Sequence, residues 1–295
     1  MNKEKPLVSI CCLAFNHASY IEQCLDGFLA QKTNFDFEIV IHDDASTDGT
    51  AAIIETYSRK YPHIFKPLLQ HTNQYAIGAK TMNAQFNFPR CEGKYIATCE
   101  GDDYWIDEHK LQKQVDFLEQ NPQYGGVSTN NRWFFEKENT FKDSIFEEGA
   151  IRFEDLCESN KINSQTILFK KELIEDLSWM KNLKIGDWPL HLMVTNQQPY
   201  YRFPEITTVY RVHEGGVHSL LKEEQKIRSR VGVLTVVFNS MNLTKERKEL
   251  LRFSIQNLLK RLIAFYPEDL KAIRKQYFSY GGSVLNKTLF KSYFK

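Results

Sequence analysis

The chain has 295 residues, 42% hydrophobic and 25% charged, an ordinary globular balance that excludes wholesale disorder. Its uncharged apolar runs fall well short of the roughly 20 residues that a bilayer-spanning helix needs. The N-terminus, Met1-Asn2-Lys3-Glu4-Lys5-Pro6, lacks the apolar core of an export signal, so a cytoplasmic protein is expected. The net charge of +1 is unevenly spread: residues 222–295 hold sixteen Lys and Arg against six Asp and Glu, and residues 1–221 are acidic. No base-reading motif accompanies the basic tail, so nucleic acid is not an expected partner. Six cysteines without a CxxC pair read as buried free thiols in a reducing compartment.

Leu7 to Leu13 is a short apolar run that predicts a buried strand ending in Asn16-His17. Tyr20, Ile21, Cys24, Leu25, Phe28 and Leu29 recur at helical spacing, with Ser19 as a candidate N-cap. Phe37 to Ile41 predicts a second strand and runs into the acidic segment His42-Asp43-Asp44-Ala45-Ser46-Thr47-Asp48-Gly49-Thr50. A second helix starts near Thr50, and Phe65 to Leu69 predicts a third strand. Tyr95 to Cys99 predicts another, ending in Glu100-Gly101-Asp102-Asp103-Tyr104-Trp105, with a helix from about Asp107 to Glu119. Residues 127–203 read as mixed, with a short strand at Thr166 to Phe169. From Glu223 onward Leu251, Ile255, Leu258, Leu259, Leu262 and Ile263 form an apolar helical stripe.

Alternating strands and helices predict an α/β fold with a mostly parallel central sheet flanked by helices, plus a C-terminal helical extension. Ligands of such sheets bind outside the carboxyl ends of the strands. Both acidic segments begin there. Three carboxylates within Glu100-Gly101-Asp102-Asp103 repel one another, and either solvent or a divalent cation relieves the repulsion. Carboxylate oxygens suit Mg²⁺ or Mn²⁺ better than Zn²⁺. The segment at 42–50 by itself also reads as a turn whose Ser, Thr or Asp caps the next helix.

Val8-Ser9-Ile10, Asn16, the Asp43 to Thr50 segment, Gly93-Lys94-Tyr95-Ile96 and Glu100 to Trp105, in that order, resemble the family 2 glycosyltransferases. These are inverting enzymes with the GT-A fold that use nucleotide-activated sugars. The resemblance spans about residues 7–218 and implies a glycosyltransferase domain over 1–221, with 222–295 as a basic helical extension. It implies that Asp44 binds the base of a UDP-sugar, with Asp43 beside it. Glu100-x-Asp102 matches the family's DxD motif, with Glu in place of the commoner Asp. Asp102 would hold Mn²⁺ or Mg²⁺, Glu100 would face the ribose or the metal's waters, and Asp103 would reach the donor sugar or cap the helix. Asn73, Gly78 and Lys80 match a loop closing over the nucleotide, with Lys80 approaching the donor.

Gly186-Asp187-Trp188-Pro189 reads alone as a helix start, and the resemblance makes Asp187 the general base. Tyr210-Arg211-Val212-His213 matches a place where Arg211 meets the donor diphosphate and His213 the metal, with His218 as an alternative in a loop at 215–219. Trp105 and Trp188 read equally as acceptor-stacking or core residues. The acceptor is expected to be a saccharide or lipid-linked saccharide. A peripheral membrane contact through the C-terminal segment, whose last residues mix aromatics with Lys, would suit the latter. A sugar-phosphate nucleotidyltransferase would want a Gly-rich basic loop where Leu13-Ala14-Phe15-Asn16-His17 stands. A non-catalytic nucleotide-sugar-binding scaffold of the same fold would not need the full set of Asp44, Asp102 and Asp187.

Overall fold

A computed structural model describes residues 5–174, 176–215, 221–265 and 270–282. The first half alternates as the periodicity demands: β1 (Val8–Ala14), α1 (Ile21–Leu29), β2 (Phe37–Asp43), α2 (Thr50–Lys60), β3 (Phe65–Leu69) and β4 (Tyr95–Glu100). These four strands are parallel, in the order β3-β2-β1-β4. β1 is buried on both faces, which is why its sequence is almost continuously apolar. Gly93, just before β4, has a packing reason: a Cβ there would sit 2.6 Å from the Ser9 nitrogen, and its own N–H donates to Ser9 Oγ at 2.9 Å.

The sheet then turns mixed. β5 (Tyr104–Trp105), α3 (Lys110–Gln120), β6 (Gly126–Phe135), β7 (Thr140–Ser144), β8 (Gly149–Ile151), α4 (Phe153–Leu156), β9 (Leu168–Lys170), α5 (Asp187–Gln197) and β10 (Tyr200–Val212) follow. β9 lies antiparallel between β4 and β6, β6 runs parallel to β10, and β5, β7 and β8 attach antiparallel. This is the α/β sheet with helices that the alternation of strands and helices predicts. Two local expectations change. The α1 N-cap is Tyr20 rather than Ser19, and the His17 carbonyl accepts the Tyr20 and Ile21 N–H groups at 2.9 and 2.8 Å. Trp105 is in a strand and is 4% exposed. Its indole N–H reaches the Gln165 carbonyl at 3.0 Å. Trp188 is 2% exposed, so both tryptophans are core.

Residues 1–152 and 162–215 form one compact unit, and 153–161 with 216–295 a second. The second contains α4, α6 (Glu223–Ser240), α7 (Lys245–Phe265) and α8 (Leu270–Ser279). The stripe from Leu251 to Ile263 is buried where α7 packs on α6 and α8. That stripe is therefore helix-packing surface, not a membrane-facing one. Among the described residues no helix is long and apolar enough to cross a membrane. The aromatic and Lys-rich segment 288–295, His218 and most of the 215–219 loop lie outside the described residues.

Candidate active site

The carboxyl ends of β1, β2 and β4 converge because the three strands are adjacent and parallel. The loops after β1 and β2 are laced together by side chains. Asn16 N donates to Ser46 Oγ at 2.8 Å, and Thr47 N donates to Asn16 Oδ1 at 2.9 Å. His17 N donates to Thr50 Oγ1 at 2.8 Å, and Ala18 N to Asp48 Oδ2 at 2.9 Å. Asp48 Oδ1 also accepts from Thr50 N and Oγ1, at 3.0 and 2.6 Å, so it caps α2 while holding the entry to α1. Burial pushes the Asp48 carboxyl up, but these bonds together hold it below its ordinary value.

Asp43 turns inward and accepts both the Ser46 N–H and the Ser46 hydroxyl. Asp44 follows, with Ala45 in the left-handed region at φ 62° turning the chain outward. The two Asp44 oxygens accept the Gln74 and Tyr75 N–H groups at 2.7 and 3.0 Å. Asp44 thus organises the 73–80 loop, and each oxygen keeps a second lone pair for a ligand N–H. Asn73 caps that loop through Ala76 N. Lys80 folds back on it, donating to the Tyr75 carbonyl at 3.0 Å with its ammonium 3.6 Å from the Tyr75 ring centre. His42 is buried and stacks on Phe86 at 4.7 Å, so it belongs to the scaffold.

At the end of β4 the carboxylates separate by environment. Glu100 is pushed up to about 8, first by burial and then by the charges of Asp102 and Asp187. Asp102 goes the other way. Burial raises it, but the His213 hydrogen bond and the His17 imidazole bring it below its ordinary value. His213 Nε2 lies 3.1 Å and His17 Nε2 3.7 Å from the same Asp102 Oδ2. Gly101 makes room for this: a Cβ there would lie 2.7 Å from Ile21 Cδ1 and 3.0 Å from His17 Nδ1.

Two residues expected at the donor make hydrogen bonds within the chain. Asp103 is 2% exposed, and its Oδ1 accepts the Arg211 N–H at 2.8 Å, tying β4 to β10. Arg211 is 9% exposed. Its Nε donates to the Asp102 carbonyl at 2.9 Å and its Nη2 to Gln23 Oε1 at 2.6 Å, with the guanidinium over the Tyr20 ring. It braces Asp102 from behind.

Asp187 opens α5 and is half-buried, where the helix dipole favours its carboxylate. Gly186 beside it faces Thr81, bringing the 73–81 loop and the start of α5 together. The charge of Asp187 reaches both Glu100 and Tyr210. Sequence reading gave Asn16, His17 and Asp48 no individual role. The signal was their position in the segments that follow β1 and β2. A pocket of ≈ 770 Å³ lies elsewhere: Gly93, Lys94 and Lys171 line it at the amino end of β4.

A divalent cation fits part of this set. Among the described residues no three His, Cys, Asp or Glu groups form a closed cage. Asp102 and His213 instead offer an incomplete site, and Mg²⁺ or Mn²⁺ commonly takes one or two carboxylates and fills its shell with phosphate oxygens and water. The mutual repulsion that lifts Glu100 is what such a cation would relieve.

The family model for glycosyl transferase family 2 matches residues 9–178. The chain belongs to that family. A protein of Mycobacterium tuberculosis is 35% identical over 224 residues, 74% of this chain and 63% of its own length. The chain thus spans less than two thirds of that relative. An Escherichia coli protein, UDP-Glc:alpha-D-GlcNAc-diphosphoundecaprenol beta-1,3-glucosyltransferase WfaP, is 27% identical over 213 residues, 72% of this chain and 79% of its own. The fold is shared with the mannosyltransferase PcManGT of Pyrobaculum calidifontis, solved with GDP-Man and Mn²⁺, at TM-score 0.60 and 16% identity over 98% of this chain and 83% of that one.

Proposed function

We propose that this chain is an inverting glycosyltransferase that moves one sugar from a nucleotide diphosphate, a UDP-sugar, to a hydroxyl of a saccharide or lipid-linked saccharide. The observation that carries the reading is the convergence of Asp187, Glu100 and Asp102 at the carboxyl ends of β4 and the start of α5. WfaP, by its name, uses a UDP-sugar and a lipid diphosphate acceptor, which supports both choices.

In this reading Asp44 accepts an N–H of the uracil and Asp43 keeps its loop in shape. Asp102, held by His213 and His17, and His213 itself would hold Mn²⁺ or Mg²⁺. The ion supplies charge neutralisation for the departing diphosphate. Asp187 takes the proton from the acceptor hydroxyl as its oxygen attacks the anomeric carbon from the face opposite the leaving group. Glu100 faces a ribose hydroxyl or the ion's waters. Lys80 reaches the donor only if it leaves Tyr75. The chemistry is assigned to residues 1–221, with 222–295 as a helical extension. The enzyme would act in the cytoplasm, at the inner membrane face if the acceptor is lipid-linked.

Asp187→Asn tests it. Transfer should fall about 10²–10⁴-fold, the usual worth of a general base. The melting shift given by UDP with Mn²⁺ should persist, since a ligand at 100 times its dissociation constant adds about 2.7 kcal/mol. Undiminished transfer by the variant rules out Asp187 as the base. UDP binding without turnover of any UDP-sugar would favour a binding protein of the same fold.

A further inference from the structure

Beside the carboxylates the sheet carries a surface that donor handling leaves unused. In the β6–β10 register Trp133 stands opposite Tyr210, and in the β6–β7 register Lys142 stands opposite Trp133. Residues paired across a sheet share a face. Tyr210, Trp133 and Lys142 therefore form one row across three strands, with Phe135 two residues along on the same face. The Tyr210 and Trp133 ring centres are 4.7 Å apart. Those of Trp133 and Phe135 are 6.4 Å apart with planes 18° from parallel, a stacked pair along the strand. A pocket of ≈ 370 Å³ opens over Trp133, Phe135, Lys142, Asp143 and Ser144, with the Asp143 carboxylate engaged by Arg132.

The row starts at the site. The N–H of the next residue, Arg211, donates to Asp103 Oδ1 at 2.8 Å, which sets Tyr210 beside the acidic segment, and burial with the charges of Asp103, Glu100, Asp102 and Asp187 raises its hydroxyl. The row ends at Lys142, exposed on β7 and without an ion-pair partner among the described residues. The neighbouring Arg132 and Asp143, one position along and so on the opposite face, pair with each other at 2.6 Å.

The geometry points to this row as the platform for the acceptor, a saccharide whose ring stacks on Trp133 and Phe135 while an anionic substituent meets Lys142. The inference rests on the transfer reading above, since Tyr210 connects the platform to Asp187. Half-buried aromatic rings suit the C–H face of a sugar, which is apolar although its rim is not. The unpaired Lys142 selects the charge. A second copy of the chain is the poorer occupant, because a lysine on an edge strand discourages strand-to-strand pairing.

The test uses the full chain with UDP and Mn²⁺ and three probes: methyl β-glucoside, methyl β-glucuronide and glucose 1-phosphate, followed by saturation-transfer NMR. Glucuronide and glucose 1-phosphate separate a sugar carboxylate from a phosphate as the anion. The anionic probes should bind more tightly than the glucoside. Trp133→Ala and Phe135→Ala should each weaken all three about fivefold or more. Lys142→Gln should remove only the anions' advantage. Each variant should keep the UDP–Mn²⁺ melting shift, which shows that it folds. If Trp133→Ala fails to fold, Phe135→Ala and Lys142→Gln carry the test. The platform is overturned if no probe binds a wild-type chain that binds UDP, or if binding is the same in wild type and variants. Concentration-dependent dimerisation that Phe135→Ala abolishes would likewise overturn it. Probe binding without any UDP shift would instead sink the transfer reading and leave the platform standing.

Discussion

Asp102 Oδ2 accepts the His213 Nε2 at 3.1 Å, and the Arg211 Nε donates at 2.9 Å to the carbonyl of the same aspartate. One residue is thereby fixed at both its side chain and its backbone. The adjoining Gly101 leaves no space for a methyl group beside His17 and Ile21. Gly101→Ala should therefore cost about 1–3 kcal/mol, the usual range for overpacking. It should also weaken Mn²⁺-dependent UDP binding, because His17 must move. Melting curves with and without UDP and Mn²⁺ measure both effects, and an unchanged variant would show that His17 yields freely.

Glu100 should set a pH dependence. Its folded-state pKa, about 8, lies above its unfolded value. The folded state then binds more protons than the unfolded one between those values, so this group's contribution declines as pH rises from about 4.3 to 8. Glu100→Gln removes the penalty. The variant's gain in stability over the wild type should grow from pH 5 to pH 8 by up to ~1.4 kcal/mol per pH unit. Urea midpoints at the two pH values decide it, and a larger gain at pH 5 would reverse the sign.

Lys110 is fully buried, donating to Gln114 Oε1 at 2.9 Å with its nitrogen 4.1 Å from the Trp105 ring centre. Burial lowers its pKa to about 7. The unfolded chain binds the extra proton between about pH 7 and 10.4, so stability attributable to this group rises with pH across that window. Lys110→Met should be more stable than the wild type at pH 7. That advantage should shrink towards pH 9 by up to ~1.4 kcal/mol per pH unit. An advantage independent of pH would mean that Lys110 stays charged when buried.

His191 on α5 is fully buried and faces the Tyr200 hydroxyl at 3.4 Å. Burial lowers its pKa to about 3. The unfolded chain gains a proton first, so stability should fall as pH drops below about 6.5, by up to ~1.4 kcal/mol per unit. His191→Phe should flatten that acid limb between pH 6.5 and 5. An identical limb in the variant would assign the loss to other groups.

The first half of the fold was legible because each strand is a continuous apolar run and each helix a clear stripe. Ile10, Ile39 and Ile96 are all fully buried, as a parallel sheet covered on both faces requires. The second half was less so. β9 has three residues and β5 two, too short for any periodicity. The acidic residues were readable as a site, but their division of labour was not. Asp103 and Asp102 are neighbours in sequence with opposite tasks, one buried against the Arg211 N–H and the other facing His213. Only the docking of the β4–β5 turn against β10, distant in sequence, separates them. The same long-range contact makes Arg211 a brace for the Asp102 carbonyl.

β7 is bonded to the sheet on one side alone, through β6. The lacing by Asn16, Asp48 and Thr50 lies several strands away and shares no hydrogen bond with it. The strand bearing Lys142 is thus open to remodelling: its exposed positions can be rewritten, or its hairpin lengthened, without unsettling the loops after β1 and β2. If the transfer reading holds, redirecting the chain to a new acceptor would begin at that hairpin.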